Sequence, residues 1–169
     1  MRQLKTLLQL TAVTGLMGLA ACVSSSPRQQ APAGPAQPTL DVPAGAQSVN
    51  IAADPATIRA TLIASAQQKG TPVIQDQANM VVMERVMSGA NPALDAEFGP
   101  SDNGTRVIRI RVRFTGSGCQ TLAVQDVAVV NNVHTALEQS FVLPGNPNTM
   151  ESLNGLKRDA ERKSACPRV

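Results

Sequence analysis

Residues Ile108-Arg109-Ile110-Arg111-Val112-Arg113-Phe114 alternate without a break between apolar and charged side chains. Side chains on a strand point to opposite faces at every step, so this period of two demands one face in a core and one in water. Gly116-Ser117-Gly118 follows as a short turn, and Leu122 to Val130 is again an apolar strand, so residues 105–131 read as a β-hairpin. Ser48–Ile51, Val73-Ile74 and Met80–Val86 supply further strand segments. Asp54-Pro55 is a helix start, with a capping carboxylate before a proline that fits the first turn. Ile58, Leu62 and Ala66 then recur at helical spacing and Gly70 is the stop, which predicts a helix over 55–69. Asn148 with Glu151 three residues on is a capping-box pattern; Met150, Leu153, Leu156 and Ala160 extend it into a second helix over 149–163. The order is β-α-β-β-β-β-α. Its simplest layered solution is an α+β domain, an antiparallel sheet of four to five strands with two helices packed on one face.

The N-terminus addresses the chain rather than folding it. Arg2 and Lys5 precede an apolar run from Leu7 to Ala21. At roughly 15 residues the run is short for a membrane span, which needs about 20, and fits a cleaved signal. Leu19-Ala20-Ala21-Cys22 matches the bacterial lipobox, in which small residues admit the chain to the signal peptidase and the cysteine thiol takes a thioether-linked diacylglycerol. The expected organisation is a signal peptide over 1–21, a lipidated Cys22 with a Pro-rich tether over 22–47, and a periplasmic domain over 48–169. In the tether, Pro27, Pro32, Pro35, Pro38 and Pro43 recur among Ser, Gln, Gly and Ala, a composition that leans to polyproline II. At about 3.1 Å per residue it spans up to about 75 Å. Val23, rather than Asp, follows the cysteine. Similarity to sorted bacterial lipoproteins therefore implies the outer membrane, facing the periplasm.

The formal charge of +3 comes from 15 basic and 12 acidic residues, and losing Arg2 and Lys5 leaves 13 against 12, or +1. With no Trp, no Tyr and three Phe, stacking on bases or sugar rings is nearly excluded, and nucleic acid is not an expected partner. A single His excludes a His-rich metal site. The chain carries no nucleophile elbow, zinc motif, P-loop or dinucleotide fingerprint, so neither a catalytic residue nor a cofactor is assigned.

Connectivity separates the ends of the sheet. The connections 88–104 and 132–148, each about 17 residues where 4–6 are typical, lie at one end of the hairpin and its turn at the other. The second helix starts beside the long connections and rises roughly 22 Å back toward the turn at 1.5 Å per residue. Cys166 therefore approaches Cys119. With Cys22 consumed by lipid, the mature chain keeps an even pair in an oxidising compartment, which favours a disulfide; the alternatives are two free thiols or a metal pair. The long-connection end is where binding is expected, because loops set by a rigid scaffold carry most of it. It gathers Asn91, Asp95, Glu97, Asp102, Arg106, His134 and Glu138, and His134 can pair there with Glu138 or Asp95. The competing reading is a lone solvated histidine.

Arg109, Arg111 and Arg113 share a strand face about 6.8 Å apart and form a possible anion-binding strip. The alternative is a solvated face with cross-strand partners such as Glu84 or Asp126.

Glu84-Arg85-Val86-Met87-Ser88-Gly89 before the hairpin, Val129-Val130-Asn131 at its end and Thr135-Ala136-Leu137-Glu138 beyond it resemble a family of small, largely uncharacterised proteobacterial outer-membrane lipoproteins. That family carries an E-R-x-M-x-G segment before the hairpin and an N-P-G-S-A-F-E-like segment after it. Here the second reads Asn131-Asn132-Val133-His134-Thr135-Ala136-Leu137-Glu138, a departure. The resemblance covers about half of the chain, implies a lipid-anchored domain and implies no activity. The expectation is a non-catalytic envelope module held by its lipid anchor and serving an envelope protein partner in an outer-membrane or secretion assembly. The alternative is a binder of peptidoglycan or lipopolysaccharide through the arginine strip.

Overall fold

The computed structural model describes residues 40–167. Cys22, the signal peptide and most of the tether lie outside them. The elements are β1 (Gln47–Ile51), α1 (Pro55–Gln68), β2 (Val73–Gln77), β3 (Met80–Met87), α2 (Pro92–Phe98), β4 (Arg106–Ser117), β5 (Gln120–Asn131), β6 (Gln139–Val142) and α3 (Pro147–Lys163). All strand pairs are antiparallel, in the order β1-β5-β4-β3-β2, and β6 also pairs with β5. β1 takes residues 121–125 of β5 and β6 takes 128–131, so the two short strands share one edge. The α+β class, the antiparallel sheet and the two helices on it are as expected. Six strands and three helices replace the expected four to five and two, because each long connection holds one short element.

The hairpin is the axis of the domain. Ser117 pairs with Gln120 across a two-residue loop whose first member, Gly118, has φ +55°. The right-handed strand twist favours such a loop, and a side chain at that φ is strained. Ile110, Val112 and Phe114 of β4 point to one face with Val81 and Met83 of β3 and Ala123 of β5. Ile58, Leu62 and Ala66 of α1 and Leu153, Leu156 and Ala160 of α3 cover them. Each fully buried large aliphatic side chain contributes about 1.5–3 kcal/mol over an exposed one. Among the described residues the opposite face carries no helix. Val107, Ala128, Val130 and Val133 make a small second cluster there, under the chain leaving β5.

Each helix begins on the same device, an Asx residue before a proline. Thr57 N donates to Asp54 Oδ1 at 2.9 Å, Leu94 N to Asn91 Oδ1 at 3.2 Å and Thr149 N to Asn146 Oδ1 at 3.0 Å. The cap of α3 is therefore Asn146, not Asn148, and the helix starts at Pro147. Proline is tolerated best at the first helical position, so it sets the start and leaves Asn148 inside. α3 also fastens the outer edge of β1. Lys157 Nζ donates to Asn50 O at 2.7 Å, Ala52 N to Glu161 Oε1 at 2.9 Å and Ser164 Oγ to Ala52 O at 2.9 Å. Beyond it, Cys166 reaches Cys119, with Cα atoms 5.6 Å apart in a disulfide.

Candidate functional site

The long-connection end is a built structure. β3 and β4 pair with Glu84 directly opposite Arg109. Arg109 Nε donates to Glu84 Oε1 at 2.6 Å, and its Nη1 to Glu138 Oε1 at 2.8 Å. The other oxygen of Glu138 accepts from the His134 backbone amide at 3.0 Å, and His134 Nε2 lies 3.3 Å from Glu84 Oε2. Four residues thus close a ring, His134 through both its backbone amide and its imidazole. Glu84 is nearly buried in it, at 6% side-chain exposure, whereas His134 is 67% exposed. Burial works against the Arg109 charge, but hydrogen bonds to Glu138 and Glu84 outweigh it and raise the guanidinium above its ordinary value. Arg109, and then the His134 amide, hold Glu138 below the usual carboxylate range.

The turn after β5 places His134. Asn132 and His134 both have positive φ, +52° and +62°, where non-glycine residues are uncommon. Hydrogen bonds hold that backbone. Asn132 N donates to Ser101 Oγ at 2.8 Å, Asn103 N to Asn132 Oδ1 at 2.9 Å and Thr135 Oγ1 to Asn132 O at 2.7 Å. Asn132 therefore ties the two long connections together.

Arg106 does the same one layer deeper, on the helix-bearing face. It is buried and donates to Asn131 Oδ1 at 2.6 Å, to Asp95 Oδ1 at 2.8 Å and to the Gly99 carbonyl. Asn131 Nδ2 returns a bond to Phe98 O at 2.9 Å, and Phe98 meets Phe141 of β6 with ring centroids 5.3 Å apart. This explains why a seven-residue helix with no buried residue keeps its place.

Of the residues expected here, His134 and Glu138 come together, and Arg106 meets Asp95. His134 pairs with Glu84, not Asp95. Asn91 caps α2, and Glu97 and Asp102 are exposed. The arginine strip does share one face, but its members differ. Arg109 is in the ring. Arg111 Nε contacts both oxygens of the buried Asp126, at 3.1 and 3.0 Å. Arg113 donates to the Asp41 carbonyl at 3.0 Å. Asn131, Asn132 and Ser101 were missed as organising residues; their signal was the pair Asn131-Asn132 closing an apolar strand. Among the described residues no cluster of three or more His, Cys, Asp or Glu is placed to hold a metal, and no helix is long and apolar enough to cross a membrane.

No protein-family model matches the chain, and no curated protein matches it either.

Proposed function

We propose that this protein is a lipid-anchored, periplasm-facing module of the bacterial outer membrane, and that it works by binding an envelope protein partner rather than by catalysis. The observation that carries the reading is the Cys119–Cys166 bridge. It belongs to oxidising compartments and consumes both cysteines of the domain. Cys22 is then the one cysteine left for lipid, at the end of the apolar run and beside Ala20 and Ala21. The resemblance to proteobacterial outer-membrane lipoproteins points the same way.

The loop end supports a binding role. Its polar groups serve to hold shape: Arg106 and Asn132 lock two connections together, and Arg109 joins two carboxylates and the turn of His134. A surface set this firmly loses little entropy on binding. Val86 and Leu137, 60% and 56% exposed, stand beside it as contact residues.

Two measurements test the reading. Cys22→Ser should abolish acylation and leave an unprocessed precursor. A photo-crosslinker at Leu137 should capture one protein repeatedly from native membranes, whereas one at Gln77, at the other end of the sheet, should not. A Cys22→Ser protein that is processed normally, or equal capture from both positions, would overturn the proposal.

A further inference from the structure

The asparagines of the domain differ in what the residue after each one permits. An asparagine carboxamide can be attacked by the backbone nitrogen of the next residue, which needs an N–H there, little bulk beside it and freedom to bring the two groups together. Asn91 and Asn146 precede prolines, which have no N–H. Asn50, Asn132 and Asn148 precede the β-branched Ile51, Val133 and Thr149, which crowd the nitrogen. Asn79 precedes the long side chain of Met80, and Asn131 is fully buried with its carboxamide bonded to Arg106 and to Phe98 O. Only Asn103 and Asn154 precede a glycine.

The fold separates these two pairs. Asn154-Gly155 lies inside α3, where helix geometry fixes the asparagine backbone and commits the glycine amide to the carbonyl four residues back. Asn103-Gly104 lies in the connection between α2 and β4, outside every helix and strand, and both residues are exposed. Glycine is required at 104. An added Cβ would stand 2.9 Å from Asn132 Cα and 3.1 Å from Thr135 Cγ2, so packing against the turn after β5 keeps any bulkier neighbour from following Asn103.

We infer that Asn103 is a site of self-modification, converted through a cyclic imide with Gly104 to aspartate and isoaspartate, and that the isoaspartyl form unties the two long connections. The Gly104 nitrogen bonds to Asn103 Cγ, its proton leaves with the side-chain NH₂ as ammonia, and the imide closes. Water then opens it. Breaking the new N–Cγ bond gives aspartate in an ordinary backbone. Breaking the original bond, from that nitrogen to the Asn103 carbonyl carbon, gives isoaspartate, whose chain runs through Cβ and Cγ. Nothing is oxidised or reduced, and water is the only co-reactant. The consequence lies in what the pair holds. Asn103 N donates to Asn132 Oδ1 at 2.9 Å, and Gly104 packs on the Asn132 backbone. Ser101 Oγ, which accepts from Asn132 N, donates to Gly104 O at 3.0 Å. These contacts fix the spacing from Asn103 N to Gly104. An isoaspartyl link lengthens it by one carbon–carbon bond, about 1.5 Å, so both ends cannot stay on Asn132.

The test incubates the full-length protein in detergent micelles in mildly alkaline buffer, beside a synthetic peptide of residues 86–106 that serves as an unfolded clock. Electron-transfer fragmentation of the tryptic peptides locates each conversion and separates aspartate from isoaspartate. Asn103 should convert on the time scale of the peptide and give both products, while Asn154 stays intact. The converted protein should melt a few degrees lower, the loss of hydrogen bonds around Asn132. Asn103→Asp, which has the charge but the ordinary backbone, should keep the Tm of fresh protein, and Asn103→Gln should keep its own Tm through the same incubation. Asn103 still intact when the peptide has fully converted, or Asn154 converting as fast, would overturn the modification site. Protein rich in isoaspartate at position 103 with an unchanged Tm would overturn the untying. These readouts need neither acylation of Cys22 nor a partner, so their failure is distinct from normal processing of Cys22→Ser or indiscriminate crosslinking.

Discussion

Three arginines at alternate positions of one strand do three different things. Removing Arg109 leaves the nearly buried Glu84 with only His134, and an uncompensated buried charge is expensive. Arg109→Gln should cost about 2–3 kcal/mol. Arg111 is 42% exposed but is the hydrogen-bond partner of a 5% exposed Asp126, so Arg111→Gln should cost about 1–2 kcal/mol. Arg113 meets only a carbonyl and has a buried Nε without a partner, so Arg113→Gln should fall within about 0.5 kcal/mol. Urea unfolding of the three variants checks the order, and equal costs would contradict it. The same scale sets the response to acid. Arg109 and the His134 amide lower Glu138, and the Thr57 hydroxyl and amide lower Asp54. Burial pushes Glu161 upward, but the Ala52 amide and Lys157 outweigh it and hold that carboxylate low too. A carboxylate whose folded pKa lies below its unfolded one adds stability above the unfolded value and loses it as pH falls through the folded value. Stability should therefore be flat near neutrality and decline from about pH 4 downward. Glu138→Gln should be less stable at pH 6 and show a shallower decline, read as the urea midpoint against pH.

At the scale of elements, start signals decide more than periodicity. Asp54→Ala and Asn146→Ala should each cost about 1 kcal/mol, the usual value of an N-cap, while Asn148→Ala should cost little. Thermal denaturation of the three tests the assignment of Asn146 directly. The strict alternation over Ile108–Phe114 and the Ile58, Leu62, Ala66 spacing made β4 and α1 legible, because both pack one face against the core. α2 and β6 had no such face. α2 buries none of its residues, and β6 is four residues long with its one aromatic, Phe141, half-buried. Only Asn91-Pro92 marked α2, by the same chemistry that starts α1 and α3. The ring around Glu84 was partly legible for a related reason. Glu84 stands out as a charge in an apolar strand, and it was foreseen as an arginine partner. Its contact with His134 depends on strand register and on two residues at positive φ, which no local pattern announces.

For the whole molecule, the bridge between Cys119 and Cys166 joins the hairpin turn to the end of α3 across 47 residues. On the chain-entropy model such a closure is worth about 4 kcal/mol. Cys119→Ala/Cys166→Ala should unfold at a correspondingly lower urea concentration while keeping the same sheet by circular dichroism. The two helices, the sheet and the locked connections form a stable body, which on the proposed reading a Pro-rich segment joins to an acylated Cys22. The intact mass of the protein isolated from its native membranes tests that account most directly. The account predicts a chain beginning at Cys22, carrying acyl mass on that residue, and two hydrogens lighter than the reduced form because Cys119 and Cys166 are joined. A free N-terminus at another residue, or two alkylatable thiols in the domain, would contradict it.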